Sequence, residues 1–188
     1  MLKVLGIPAS NSDNSINAML VHYALDLMKT RLRIEAEYSV LDLNDLEMPI
    51  YKAERETAHG IPGGARDFVR AIGFADALVM SFAEHNGNYT AAFKNVLDWA
   101  SRIERNVYHN RPILMMATSP GARGGAGVLG IASESAAHFS GNVFGTFSLP
   151  RFHEAFDQES NILLDAAKSA ELATLLEGFA NRLTAAKP

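Results

Sequence analysis

The spacing of apolar residues changes period several times along this chain, and each change marks an element. Val4-Leu5-Gly6-Ile7 is a short, continuous apolar run, the pattern of a buried strand, and it empties into the polar stretch Ala9-Ser10-Asn11-Ser12-Asp13-Asn14-Ser15-Ile16-Asn17. From Ile16 the positions Met19, Leu20, Tyr23, Ala24 and Leu27 recur at helical spacing, which predicts a helix ending near Arg31. Ile34, Ala36, Tyr38 and Val40 then alternate with Arg33, Glu35, Glu37 and Ser39, as in a half-buried strand toward a sheet edge. Residues 44–64 carry Pro49, Gly60, Pro62, Gly63 and Gly64 among charges and read as one long loop, of the kind that serves a site or an interface. A short helix with Ala65, Phe68, Val69 and Ile72 on one side ends by Gly73.

The second half repeats the alternation. Asp76 to Phe82 is a nearly continuous apolar run, a central parallel strand, and Ala83-Glu84-His85-Asn86-Gly87-Asn88-Tyr89 leads to a helix opened by Thr90. Ile113 to Ala117 is a fourth strand, whose exit Thr118-Ser119-Pro120-Gly121-Ala122-Arg123-Gly124-Gly125 is rich in glycine and allows backbone to approach a ligand closely. A helix through Val128, Ile131, Ala132, Ser135 and Phe139, a fifth strand from Val143 to Leu149 stopped by Pro150, and a closing helix through Leu172 to Leu183 complete the pattern. Strands alternating with helices predict one doubly wound α/β sheet with right-handed crossovers, here taken as a single domain over 1–188. Ligands of such sheets sit beyond the carboxyl ends of the strands where strand order reverses. The loops leaving the first, third and fourth strands are the polar ones, and this topology gathers them there.

Composition narrows the function. With 188 residues, 48% of them hydrophobic, the chain sustains one well-buried core. A net charge of -4 and the lack of a basic cluster argue against nucleic acid. The absence of cysteine excludes disulfides, thiolate metal sites and a cysteine nucleophile. The apolar start is too short for a signal peptide, and no window approaches the ~20 apolar residues of a membrane span, so a cytoplasmic protein is expected. His59, His109, His138 and His153 lack metal-ligand spacing and read as ordinary residues.

The first loop is the chemically informative one. Strand, hydroxyl-rich loop and helix in that order leave backbone N–H groups unpaired at the helix mouth, with the helix dipole behind them. Such a mouth binds anions, and the hydroxyls of Ser10, Ser12 and Ser15 can each donate to a phosphate oxygen without a Lys or Arg in the loop. The alternative is that Asn14 or Ser15 merely caps the helix. Neither the dinucleotide G-x-G-x-x-G pattern nor the Walker pattern is present.

Taken together, these segments resemble the NAD(P)H-dependent FMN reductases, the flavodoxin-like family that includes quinone, azo-dye and chromate reductases. Ser10, Ser15 and Asn17 match its first loop, with Ser12 where an Arg is expected. Glu84, Asn86, Lys94, Asn95, Asp98 and Trp99 match its second loop and following helix, with Ala83 for Pro, His85 for Tyr and Phe93 for Leu. Ser119, Pro120, Gly121, Gly124 and Gly125 match its third loop. The resemblance implies a five-stranded sheet of order 2-1-3-4-5, FMN as cofactor, NADPH or NADH as co-substrate, and a homodimer or homotetramer. It implies that Ser10, Ser15, Ile16 and Asn17 hold the FMN phosphate, with the Ser12 hydroxyl beside them in place of the Arg charge, and that Glu84, His85, Asn86 and Gly87 line the ribityl chain and ring. Ser119, Gly121 and Gly124 would approach the ring from the third loop. The implied activity is ping-pong hydride transfer from NAD(P)H through the flavin to a quinone, azo compound, free flavin or similar small acceptor.

In that chemistry the flavin carries the hydride, no side-chain acid or base is required, and the protein supplies position and electrostatics. Glu84 is expected to fix its loop, because a carboxylate would repel a reduced, anionic ring. His85 is a candidate donor to the flavin or else a polar loop residue, and Arg123 either attracts a nicotinamide phosphate or is solvated. Two other readings stand beside the reductase: an electron-transfer flavodoxin that docks to a partner, and a flavin-free nucleotide-binding domain. The former class has a Thr-rich first loop and a strongly acidic docking face, neither of which is found here, and a colourless purified protein would favour the latter.

Overall fold

The computed structural model describes residues 1–185. Five strands, β1 (Leu2–Ala9), β2 (Ala36–Val40), β3 (Ala77–Phe82), β4 (Pro112–Thr118) and β5 (Asn142–Leu149), form one parallel sheet in the order β2-β1-β3-β4-β5, as the resemblance implied. β3 is buried on both faces, whereas β2 and β5 at the edges alternate between covered and open positions. β1 runs on through Pro8, which pairs with Ser81 of β3. A proline is tolerated in this inner strand because Gly6, two residues earlier, is the last position that β2 engages. At Pro8 the missing N–H faces a side that β2 has already left.

Helices cover both faces. α1 (Ile16–Asp26), α6 (Phe152–Ala155) and α7 (Ala166–Ala185) lie on one face, with Leu20, Val21, Phe152, Leu176 and Phe179 packed on Val4, Val79, Leu114 and Met116. α3 (Gly63–Phe74), α4 (Ala91–Ile103) and α5 (Ala126–Ser135) cover the other, with Phe68, Phe93 and Val128 against Ile7, Met80 and Met115. α1 sits close to β1 because Gly6 has no side chain: a Cβ there would lie 2.6 Å from Val21 Cγ1. No helix among the described residues is long and apolar enough to cross a membrane.

The structure corrects the expected pattern in several places. The helix expected to run from Ile16 to near Arg31 changes at Leu27 into a π-helical turn, Leu27–Arg31. Residues 44–64 are not one loop: a 3₁₀ turn, Leu43–Leu46, and the helix α2 (Ala53–His59) interrupt them. α2 escapes pattern reading because none of its residues is buried, so it has no apolar stripe. The helix read through Phe139 ends at Ser135 and continues as a 3₁₀ turn, Ala136–Phe139. Beyond Pro150 come α6 and a two-residue-per-strand hairpin, β6 (Phe156–Asp157) with β7 (Ile162–Leu163), too short to show periodicity.

Candidate functional site

Three loops converge at the carboxyl ends of β1, β3 and β4, on both sides of the point where strand order reverses. In the first loop Ser15 is the N-cap of α1, its Oγ accepting from Ala18 N–H at 3.2 Å, which settles the capping residue as Ser15 and not Asn14. Capping uses an acceptor site and leaves the Ser15 hydroxyl proton free, so cap and anion donor are compatible roles. Ser10 Oγ accepts from Ser12 N–H at 3.3 Å. Among the described residues nothing accepts the N–H of Ile16 or Asn17, and α1 has no acid in its first turn. Free N–H groups, unopposed hydroxyls and a helix dipole make this an anion cradle.

The Asn17 side chain has a different task. It is 2% exposed, its Oδ1 accepts from Ser81 Oγ at 2.7 Å and from Thr118 N–H at 3.1 Å, and its Nδ2 donates to Thr118 carbonyl at 3.2 Å. It ties α1 to the ends of β3 and β4, and what it offers a ligand is its backbone N–H. Thr90 does the same for α4: its Oγ1 accepts from Phe93 N–H at 3.2 Å and donates to the Ala9 carbonyl at 3.3 Å.

The second loop is a tight turn in which His85 and Asn88 exchange both backbone bonds, at 2.9 and 3.0 Å. Asn86 and Gly87 occupy its two central positions with φ of 53° and 77°, the conformation that Asn-Gly pairs favour. Glu84, with a side chain 13% exposed, is committed: Oε2 accepts from Val128 N–H in the first turn of α5 at 2.9 Å, and Oε1 meets Arg123, itself 76% exposed, at 3.2 Å. It therefore fixes loop two to loop three, as expected for it. Tyr89 ends the loop with its hydroxyl 2.9 Å from Ser135 Oγ, and burial raises its pKa against the opposing effect of that bond.

The third loop is held by the elbow after β5: Arg151 N–H donates to the Gly121 carbonyl and Phe152 N–H to the Ser119 carbonyl, at 3.0 and 3.1 Å. Gly124 has φ 56° and faces this elbow, where a Cβ would come within 2.5 Å of Ser148 Oγ. Close packing against β5 is what requires glycine at this position.

A crevice of about 300 Å³ opens between the loops. Of the twelve residues expected at the site, Ser10, Ser12, Ser15, Ile16, Asn17, Glu84, His85 and Ser119 line it, together with His153 of α6. Asn86 and Gly87 form the tip of the second turn, and Gly121 lies on the third loop with Ser119 Oγ 3.8 Å from its Cβ position. His153, read as ordinary, is the residue the sequence hid: the only signal was its place three residues beyond the stop at Pro150.

A second set of bonds explains the Lys94-Asn95 and Asp98-Trp99 motif. Asn95 Oδ1 accepts from Tyr51 N–H at 2.8 Å, its Nδ2 reaches the Met48 and Pro49 carbonyls, both at 3.2 Å, and Trp99 Nε1 donates to Pro49 at 2.7 Å. The motif straps residues 48–51 onto α4. Lys94 pairs with Asp98 on the exposed side at 2.6 Å.

Sheet order, helix layers and a three-loop crevice whose first wall offers neutral donors to an anion define a flavodoxin-like domain. Residues 2–154 match the NADPH-dependent FMN reductase family, and the chain belongs to it. An NAD(P)H-dependent FMN reductase of Pseudomonas aeruginosa is 31% identical over 125 residues, a stretch covering 66% of this chain and 64% of that protein. An Arabidopsis thaliana NADPH:quinone oxidoreductase is 26% identical over 97% of this chain and 94% of its own length. Among solved structures, the flavoenzyme NAD(P)H:(acceptor) oxidoreductase FerB of Paracoccus denitrificans shares the fold at TM-score 0.76 and 22% identity, covering 98% of each chain.

Proposed function

We propose that this chain is an NAD(P)H-dependent FMN reductase that passes reducing equivalents to a small planar acceptor, a quinone, azo compound or free flavin. The observation that carries the reading is the cradle at the head of α1, where the N–H groups of Ile16 and Asn17 stand without acceptors beside the Ser10 and Ser15 hydroxyls. These donors fit a phosphomonoester, the terminal group of FMN, and no acid in the first turn opposes it. Ser12 adds a hydroxyl from the rim of the same crevice.

FMN, when bound, supplies the hydride chemistry, and the chain supplies placement and charge. The turn at His85–Asn88 and the loop from Ser119 to Gly121 flank the crevice, so backbone and small side chains there seat the ribityl chain and ring. The Glu84 carboxylate is held by Val128 N–H and Arg123, which keeps its negative charge from the ring, where charge grows on reduction. Asn17 and Thr90 hold the three loop ends rigid.

Within this reading residues 1–188 act as one FMN-binding domain, since both packed faces belong to one sheet. The protein works as a homodimer or homotetramer, supported by apolar side chains left exposed at Ile50, Phe74, Ile162 and Leu164. Consumption of NAD(P)H assigns it to the cytoplasm. The test is reconstitution: the purified chain is expected to take up one FMN per subunit and to oxidise NADH or NADPH with a quinone. A chain that binds no added FMN overturns the proposal, and a chain that binds FMN without quinone-dependent turnover overturns its enzymatic half.

A further inference from the structure

Among the described residues, His153 alone lines the crevice from beyond the three loops. It is an exposed residue of α6, its ring edge-on to Phe152, and its Nδ1 lies 3.1 Å from Gln158 Nε2. An amide nitrogen only donates, so Nδ1 accepts in this arrangement and the ring proton resides on Nε2, the atom left to donate elsewhere.

The charge inventory gives this donor a purpose. Among the described residues no Lys or Arg lines the crevice, and the one acid there, Glu84, is spent on Val128 and Arg123. A phosphomonoester brings about −1.5 to −2 charges at pH 7, whereas a helix N-terminus offers only about half a positive charge. The two crevice histidines adjoin helices that pack on opposite faces of the sheet. His85 leads into α4, but α6 packs on the same face as α1, through Phe152 and Ala155, and α1 carries the free N–H groups. Phe152 N–H also bonds to Ser119 carbonyl, which anchors α6 to the third loop of the same crevice.

Resting on the function proposed above, we infer that His153 donates its Nε2–H to the FMN phosphate, closing from α6 the cradle that α1 opens. Other charges flank the crevice in adjoining hollows. Asp13 stands at the rim, lining the adjoining hollow with His22. Arg151 and Glu154, its neighbours on α6 and the preceding turn, line a separate hollow with Asp165 and Lys168, two charges of each sign.

The experiment compares FMN with riboflavin, which lacks only the phosphate, by fluorescence titration of the full chain freed of flavin. His153→Ala is expected to weaken FMN about tenfold, the scale of one charge-assisted hydrogen bond, while riboflavin affinity stays within about twofold. His153→Arg is expected to keep the preference for FMN. Equal weakening of both flavins, or no weakening of FMN, overturns the inference alone. A native chain that binds neither flavin overturns the proposed function and this inference together.

Discussion

Asn17 engages both peptide groups of Thr118, accepting its N–H at 3.1 Å and donating to its carbonyl at 3.2 Å, so one buried carboxamide imitates a strand pairing across 101 residues of sequence. The same Oδ1 takes the Ser81 hydroxyl, which locks the head of α1 to the carboxyl ends of β3 and β4, where two of the three loops begin.

Replacing Asn17 by Ala strips Ser81 Oγ–H and both Thr118 groups of their partners in a dry setting. Each stranded group costs about 1–3 kcal/mol, so chemical denaturation is expected to show a loss of at least that size. Asn17→Asp keeps the acceptor but loses the donor and buries a charge, and it is expected to be no better than Ala. Ser15→Ala provides the contrast: about 1 kcal/mol lost as a helix cap, with FMN affinity falling several-fold because a phosphate donor disappears. Loss of FMN affinity in Asn17→Ala without any loss of stability would show that the carboxamide touches the ligand and does not brace the loops.

What could be read from the chain beforehand follows from how local each cause is. β3 and β4 announce themselves because both faces are buried and all but their Ser81 and Thr118 are apolar, and Ser15 because a cap acts three residues away. The Asn17 clamp was out of reach: its partners lie 64 and 101 residues on, and a polar residue in a polar loop gives no hint of burial. The turn around Asn86-Gly87 carried a legible signal, the pair that adopts positive φ twice, but without flanking strands it reads only as loop. Gly124 matched a ligand-loop pattern while serving to pack on Ser148 and Pro150, since a glycine in sequence does not say which neighbour needs the space.

Two glycines in α5 should respond with opposite sign. Gly130 has nothing within 4 Å of its Cβ position, so Gly130→Ala gains helix propensity and is expected to stabilise by about 0.5–1 kcal/mol. At Gly127 a Cβ would fall 2.7 Å from Glu84 Oε2, the atom that accepts Val128 N–H. Gly127→Ala therefore displaces the carboxylate and is expected to destabilise, by about 1–2 kcal/mol after its propensity gain. Thermal unfolding of the pair checks this, and a stabilising Gly127→Ala would mean that Glu84 does not hold loop two to α5.

Tyr108 sets an alkaline limit. Burial raises its pKa well above the ordinary tyrosine value, as it also raises that of Tyr89. An unfolded tyrosine ionises near pH 10, so above about that pH the unfolded chain releases a proton that the folded chain retains. Stability is then full below about pH 10 and falls as pH rises beyond it. Tyr108→Phe removes the ionisable group, and its denaturation midpoint is expected to decline less between pH 9 and 11 than that of the native chain, as about one proton fewer is linked to unfolding. Identical slopes would show that Tyr108 ionises in the folded protein.

The strap at 48–51 hangs on two side chains of α4. Asn95 makes three bonds to it and Trp99 one, with Tyr51 set edge-on to the indole at 4.9 Å. The Tyr51 N–H has Asn95 Oδ1 as its acceptor, so its exchange with solvent reports on the strap directly. Asn95→Ala is expected to speed exchange at Tyr51 by about tenfold or more and to lower stability by about 1–3 kcal/mol. Trp99→Phe keeps the Asn95 bonds and the aromatic contact but loses the bond to Pro49, so exchange at Tyr51 is expected to change much less. Exchange at Tyr51 that is insensitive to Asn95→Ala, measured by amide hydrogen exchange in the folded chain, would show the strap to be held by something other than the motif.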